Sequence, residues 1–255
     1  MPIDSGADQT ITITYRFTLD DGTVRDFPVY LDRPTLHGIP QMRESWPDWT
    51  RLTFMQCPNC PLSEEQSPRC PVAAHVVDLV DAFKDLFSTE QAKVDIIGEV
   101  RTLSKRTSLS EGVSSLLGIY MTTSGCPIMD KMRPNVRTHL PFATIDETIF
   151  RTLAMYMLAQ HFVARRGGQG DWTLARFGEM IEDVRIVNRA FCGRLSRTTL
   201  KDVNINAVVR LDCFAELTTH VVEKRTARFG EIEQLFDAYF SGLKPKAAFD
   251  PEKSQ

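Results

Sequence analysis

Apolar and polar side chains alternate with a period of two from Ile11 to Leu19, the pattern of a half-buried strand, and Asp20-Asp21-Gly22 interrupts it at once. The alternation returns from Val24 to Leu31, with Phe27, Val29 and Leu31 on one face, so the two runs predict a β-hairpin. Pro34, Pro40 and Pro47 then break all periodicity and predict an ordered connector. Arg51 to Met55 is apolar enough to predict a short strand. Past Cys70-Pro71 the spacing lengthens: Val72, Val76, Leu79, Val80 and Phe83 recur at helical intervals that continue to Leu86-Phe87, and Pro71 suits a first helical turn. Lys93 to Leu103 predicts a further strand, paired with the hairpin.

The remainder of the chain has helical periods. Ser108 and Glu111 form a capping box ahead of Val113, Leu116, Leu117 and Tyr120, and Gly125 ends that helix. Thr144 and Glu147 repeat the device before a helix that runs through Leu153 and Met157 to Gly167-Gly168. Asp171 predicts the cap of the next helix, which carries Phe177, Ile181, Val184, Val187 and Phe191. The longest regular pattern spans 208–239 in alternating steps of three and four, and predicts one helix whose stripe packs in an antiparallel bundle or forms a homodimer seam. The fold class expected is α+β, a small antiparallel β-sheet on the N-terminal side packed on a mainly helical C-terminal bundle. Its regions are 1–105, β-rich with a cysteine loop and one helix; 106–243, the helical body; and 244–255, a polar tail.

Composition changes this picture only by exclusion. A hydrophobic fraction of 42% and a charged fraction of 25% are those of an ordinary globular chain, and a net charge of −3 supplies no general attraction to nucleic acid. Arg185, Arg189, Arg194, Arg197 and Lys201 lie among Glu182, Asp183 and Asp202, and are expected to form a solvated helix face. No apolar run approaches the ~20 residues that span a bilayer. The first eight residues lack the basic start and apolar core of a secretory signal, so a cytoplasmic location with reduced thiols is expected.

The chemically specific signal is cysteine. Cys57, Cys60 and Cys70, answered by Cys126 in a glycine-flanked turn, supply the four thiolates that a tetrahedral zinc or an iron–sulfur cluster requires. All four precede proline, as in the Cys-Pro of ferredoxin-type ligation. Pro61 stands where a zinc knuckle commonly has glycine, which favours the cluster over zinc. His75 is a substitute ligand, or a helix residue that faces solvent or a core carbonyl, and Cys192 and Cys213 are expected to be small core residues. Asp130, Arg133 and His139, with Glu147 and Arg151 beyond them, mark a possible pocket for a small anion, His139 being the candidate base. The same residues equally suit caps and ion pairs.

The segment Ser114–Asp130, containing Ser124-Gly125-Cys126-Pro127-Ile128-Met129-Asp130, together with His139–Thr144 and Cys57–Pro71, resembles a family of uncharacterised bacterial proteins of similar length. The resemblance covers most of the chain and implies a bacterial cytoplasmic origin; it adds no catalytic residue. The function expected is therefore cysteine-ligated metal binding, with an iron–sulfur cluster first and zinc second, in a structural or redox-sensing role. An enzyme acting on a small anionic substrate beside the metal, and a helical homodimer with a structural zinc, are the alternatives.

Overall fold

The computed structural model describes residues 9–243; the polar N-terminal start and the tail assigned to 244–255 lie outside them. The predicted hairpin forms β1 (Thr10–Leu19) and β2 (Val24–Asp32). Two further strands, β3 (Gln91–Ile97) and β4 (Thr102–Ser108), complete an antiparallel sheet of order β2-β1-β3-β4. Register follows the alternation: Tyr15 lies opposite Phe27 and Ile96, and Phe17 opposite Val94. All five side chains are buried on one face. The other face is polar, with a bidentate Arg16–Asp26 pair at 2.8 and 2.7 Å. The single strand expected at 93–103 is thus two. Beyond its first turn β4 is an edge with one buried side chain, Thr107, so it lacks the apolar alternation that would reveal it.

The helix expected after Pro71 is interrupted at Val76, giving α1 (Pro71–His75) and α2 (Val77–Phe83). Helix α3 (Leu109–Thr123) follows β4 directly. Ser108 caps it by accepting the Glu111 N–H, whereas the Glu111 carboxylate turns to Thr107, Lys105 and Arg210, so only half of the expected capping box is made. Gly112 lets α3 settle on the sheet, since a Cβ there would stand 2.8 Å from Phe17 and 2.9 Å from Val94. Gly125, at φ +84°, ends the helix in a conformation that a side chain disfavours. A 3-10 segment, Met129–Thr138, leads to α4 (Ile145–Arg165), where the Thr144–Glu147 capping box is complete.

Helices α5 (Phe177–Leu195) and α6 (Val203–Glu223) form the antiparallel pair on which α3 and α4 rest. Asp171 is not the N-cap of α5, which is Arg176; it folds the preceding loop by accepting the N–H groups of Ala175 and Arg176. The single helix expected over 208–239 is broken into α6, α7 (Ala227–Gln234) and α8 (Asp237–Phe240). The break is at Arg225, whose φ of +44° turns the chain. The first half of the stripe is spent inside the chain, with Val208, Thr218 and Val222 buried, whereas Phe236 and Tyr239 are exposed.

Two core clusters result. The larger joins the sheet, α2, α3 and parts of α5 and α6; the smaller joins Ile149, Leu153 and Tyr156 to Phe177, Ile181, Val221 and Val222. The boundary expected at 105/106 falls within β4, and the larger cluster runs from Tyr15 to Val208 across it. Among the described residues no helix is long and apolar enough to cross a membrane.

Candidate metal centre

The segment expected as a strand at Arg51–Met55 is the foot of the cysteine loop. It makes one isolated bridge, Arg51 with Arg69, flanked by Leu52 N–H to Pro68 O at 3.1 Å and Cys70 N–H to Thr50 O at 2.8 Å. The chain before Cys57 and the chain before Cys70 therefore run side by side and close the intervening loop. The pairing stops at that bridge, and four carbonyls of the 49–55 segment accept from a side chain instead. Arg194, 1% exposed on α5, donates to Trp49 O at 2.5 Å, Arg51 O at 2.8 Å, Leu52 O at 3.4 Å and Met55 O at 3.5 Å. Its guanidinium also lies 5.7 Å from the centre of the Phe54 ring. This corrects the expectation of a solvated arginine face on that helix: Arg194 is buried, and Arg185 is tied to Glu182, Asp212 and Glu216. Asn59 completes the docking by donating to Asp183 O at 3.0 Å.

Within the loop, Cys60 N–H bonds to Cys57 O at 3.0 Å, forming the tight reversal that a two-residue separation permits. Cys70 sits at the start of α1, and Cys126 is buried just beyond Gly125. All six cysteines are free thiols. Burial first, and then Cys70, Cys126 and Cys60 in turn, push the Cys57 thiol up to about 12, with Arg194 opposing them. Burial likewise raises Cys126, against the pull of the Met129 and Ile128 N–H groups on its sulfur, while Cys70 and Cys60 add to the rise. Cys57 thus feels the charge of the other three predicted cysteines, Cys126 among them although it comes from a turn remote in sequence. Arg194 stands among them as the compensating cation; its own pKa is lowered by burial and supported by Cys70, Cys57 and Cys60.

Among the described residues, no group of three or more His, Cys, Asp or Glu side chains is arranged to hold a metal ion. The donor types are those of a thiolate-ligated centre: four Cys-Pro thiols of which Cys57 feels the other three, backbone N–H groups of Met129 and Ile128 that favour the Cys126 thiolate, and the buried Arg194 whose charge acts on Cys57. Met121, Ile128 and Met129 are buried around Cys126 and supply an apolar surround. Cys192 is half-buried with its thiol 3.9 Å from Ile205 O, whereas Cys213 is exposed, contrary to its expected place in the core. His75 bonds through Nδ1 to Pro71 O at 3.2 Å, the carbonyl-bonded role, and burial depresses its pKa.

The three candidate pocket residues divide between two places. Asp130 pairs with Arg133 at 2.9 Å, and Arg133 reaches the His37 ring, with Nη1 to Nδ1 at 2.9 Å. His139 belongs elsewhere. Its Nε2 is hydrogen-bonded to the Tyr15 hydroxyl at 2.5 Å, and Tyr15 is in turn 2.9 Å from Ser115 Oγ. Burial, with Arg151 adding to it, drives the His139 pKa down to about 3, so the ring is neutral at ordinary pH. Burial raises the Tyr15 phenol, which keeps its proton. His139 lines a cavity of about 210 Å³ between α3, the 3-10 segment, α4, α5 and α6, whose lining includes neither Asp130 nor Arg133. Met129 joins the two regions: its backbone N–H faces the Cys126 sulfur and it lines the cavity.

Arg194 carried no sign in the sequence of its place behind the cysteine loop, whereas Arg151 was already among the residues that marked the pocket. Arginines on helices with charged neighbours carry no mark of burial, and only the packing of α5 against the loop distinguishes Arg194. No curated protein and no solved structure is matched by the chain. A family model described as a domain of unknown function, DUF6901, matches residues 13–237, and the chain belongs to that family.

Proposed function

We propose that the protein binds an iron–sulfur cluster through Cys57, Cys60, Cys70 and Cys126, in a structural or redox-sensing role within a reducing compartment such as the cytoplasm. What supports this reading is the set of four Cys-Pro thiols, three from one loop and one from a distant turn, with the other three and the buried Arg194 acting electrostatically on Cys57. Proline after each cysteine removes the nearest backbone donor, and the methionine- and isoleucine-lined surround limits water; both favour a cluster over a solvated zinc. When bound, such a centre supplies one-electron chemistry and sensitivity to oxidants. The chain's own residues do the rest: the 50–52 and 68–70 segments close the loop, Arg194 offsets thiolate charge, and Ile128 and Met129 donate to Cys126. Because ligation ties the loop to the helical body, metal binding adds to fold stability.

The test compares Cys126→Ser with Cys213→Ser, a substitution at an exposed cysteine outside the site. Cys126→Ser is expected to lose bound metal and lower the melting temperature, and Cys213→Ser to change neither. Equal metal content in the two variants and the parent would refute the reading.

A further inference from the structure

The cavity beside His139 is walled by apolar side chains, among them Met132, Val136, Leu211 and Phe214, and lies where the two core clusters meet. Four titratable or charged groups face it. Glu111 carries Arg210 at 3.0 Å and Lys105 at 3.1 Å, and His139 is held neutral by burial, with Arg151 adding to it. Arg151 is different. It gives one N–H to Asn135 O at 2.8 Å, its Nε is buried without a partner, and no carboxylate pairs with it among the described residues. Glu147, whose charge acts on Arg151, has its carboxylate hydrogen-bonded to the Thr144 cap.

A second orphan lines the same space. Asn188 is 2% exposed, and its Oδ1 has no hydrogen-bond partner. Leaving a buried amide unpaired costs on folding unless something else occupies the site, and the same holds for an unpaired buried cation. Apolar walls with a few convergent polar groups describe a small-molecule site.

From this geometry we propose that the cavity binds a small amphipathic carboxylate, its anionic head on Arg151, its apolar body against Met132, Val136, Leu211 and Phe214, and a polar substituent on the Asn188 amide. The site stands on residues separate from the four cysteines, so its success or failure does not depend on the metal reading.

The test is calorimetric titration of the full-length protein with octanoate, phenylacetate and 3-hydroxyoctanoate, each against its neutral amide. The carboxylates are expected to bind at least about tenfold more tightly than the amides, and the hydroxylated acid more tightly than octanoate. Arg151→Gln should remove the preference for carboxylate. Asn188→Leu should raise the melting temperature of the free protein while abolishing the advantage of the hydroxyl group, a pair of effects that a purely structural asparagine would not give. Gly118→Leu fills the cavity from α3, where an added Cβ meets only Leu211 at 3.8 Å, and should abolish binding. Equal binding of acid and amide, unchanged affinity in Gly118→Leu, or no heat from any of the three acids at about 5 mM, a concentration that would populate even a millimolar site, would overturn the proposal.

Discussion

Arg194 satisfies carbonyls of a segment that passes from a 3-10 turn, Asp48–Thr50, into irregular backbone, and backbone groups buried without partners are costly. Arg194→Met keeps much of the side-chain volume but strands those carbonyls. It is expected to destabilise the protein by about 2–4 kcal/mol in denaturant titration and to reduce metal content through the loosened loop. An unchanged midpoint would mean that water or a neighbouring group replaces the guanidinium. His139 acts through its proton. Its folded pKa of about 3 lies below the ordinary histidine value, so the unfolded chain binds the proton more readily. The stabilisation it provides is complete above about pH 6.5, the unfolded value, and is lost as pH falls toward the folded value. His139→Gln should therefore flatten the acid limb of the stability curve, removing a slope of at most about 1.4 kcal/mol per pH unit. Parallel curves for the two proteins between pH 4 and 6 would contradict that role.

At the scale of elements, helix endings decide the architecture. Helices α4 and α6 end with the same pair of bonds: Gly168 N–H to Val163 O and Gly167 N–H to Ala164 O in one, Thr226 N–H to Val221 O and Arg225 N–H to Val222 O in the other. In α4 the left-handed position is glycine; in α6 it is Arg225. A glycine there avoids the steric cost of a side chain, so Arg225→Gly is expected to raise stability by up to about 1 kcal/mol, less whatever the arginine side chain contributes. A lower melting temperature in that variant would show the side chain's interactions to outweigh the strain. The comparison also explains what the sequence conveyed at this level. Gly167 announced one turn, whereas Arg225 hid the other inside an unbroken apolar stripe, and a continuous helix was the natural reading. The hairpin and the Thr144 cap were readable because alternation and capping residues are local signals. Strand β4 was hidden because an edge buries too little to leave a pattern.

For the whole molecule, the cysteine loop fastens the sheet side to the helical body at a point where the sequence brings together residues far apart. Four Cys-Pro pairs could be read from the chain, and the electrostatic influence of Cys60, Cys70 and Cys126 on the buried Cys57 is what the fold adds. Arg194 behind the loop and Asn188 in the cavity could not be read, since their roles depend on tertiary packing and not on spacing; Arg151 stood among the pocket residues, though nothing there marked its lack of a carboxylate partner among the described residues. The pairing of His139 with Asp130 and Arg133 was suggested by proximity in sequence, but His139 follows the 3-10 segment into contact with Tyr15 on β1. The central claim is that four thiolates hold a cluster. Its most direct test is the absorption spectrum, iron and acid-labile sulfide of anaerobically purified protein. Broad absorbance near ~400 nm with iron and sulfide in equal amounts, lost in Cys126→Ser, is the predicted result. A colourless protein free of iron and sulfide, with no change in Cys126→Ser, would contradict it.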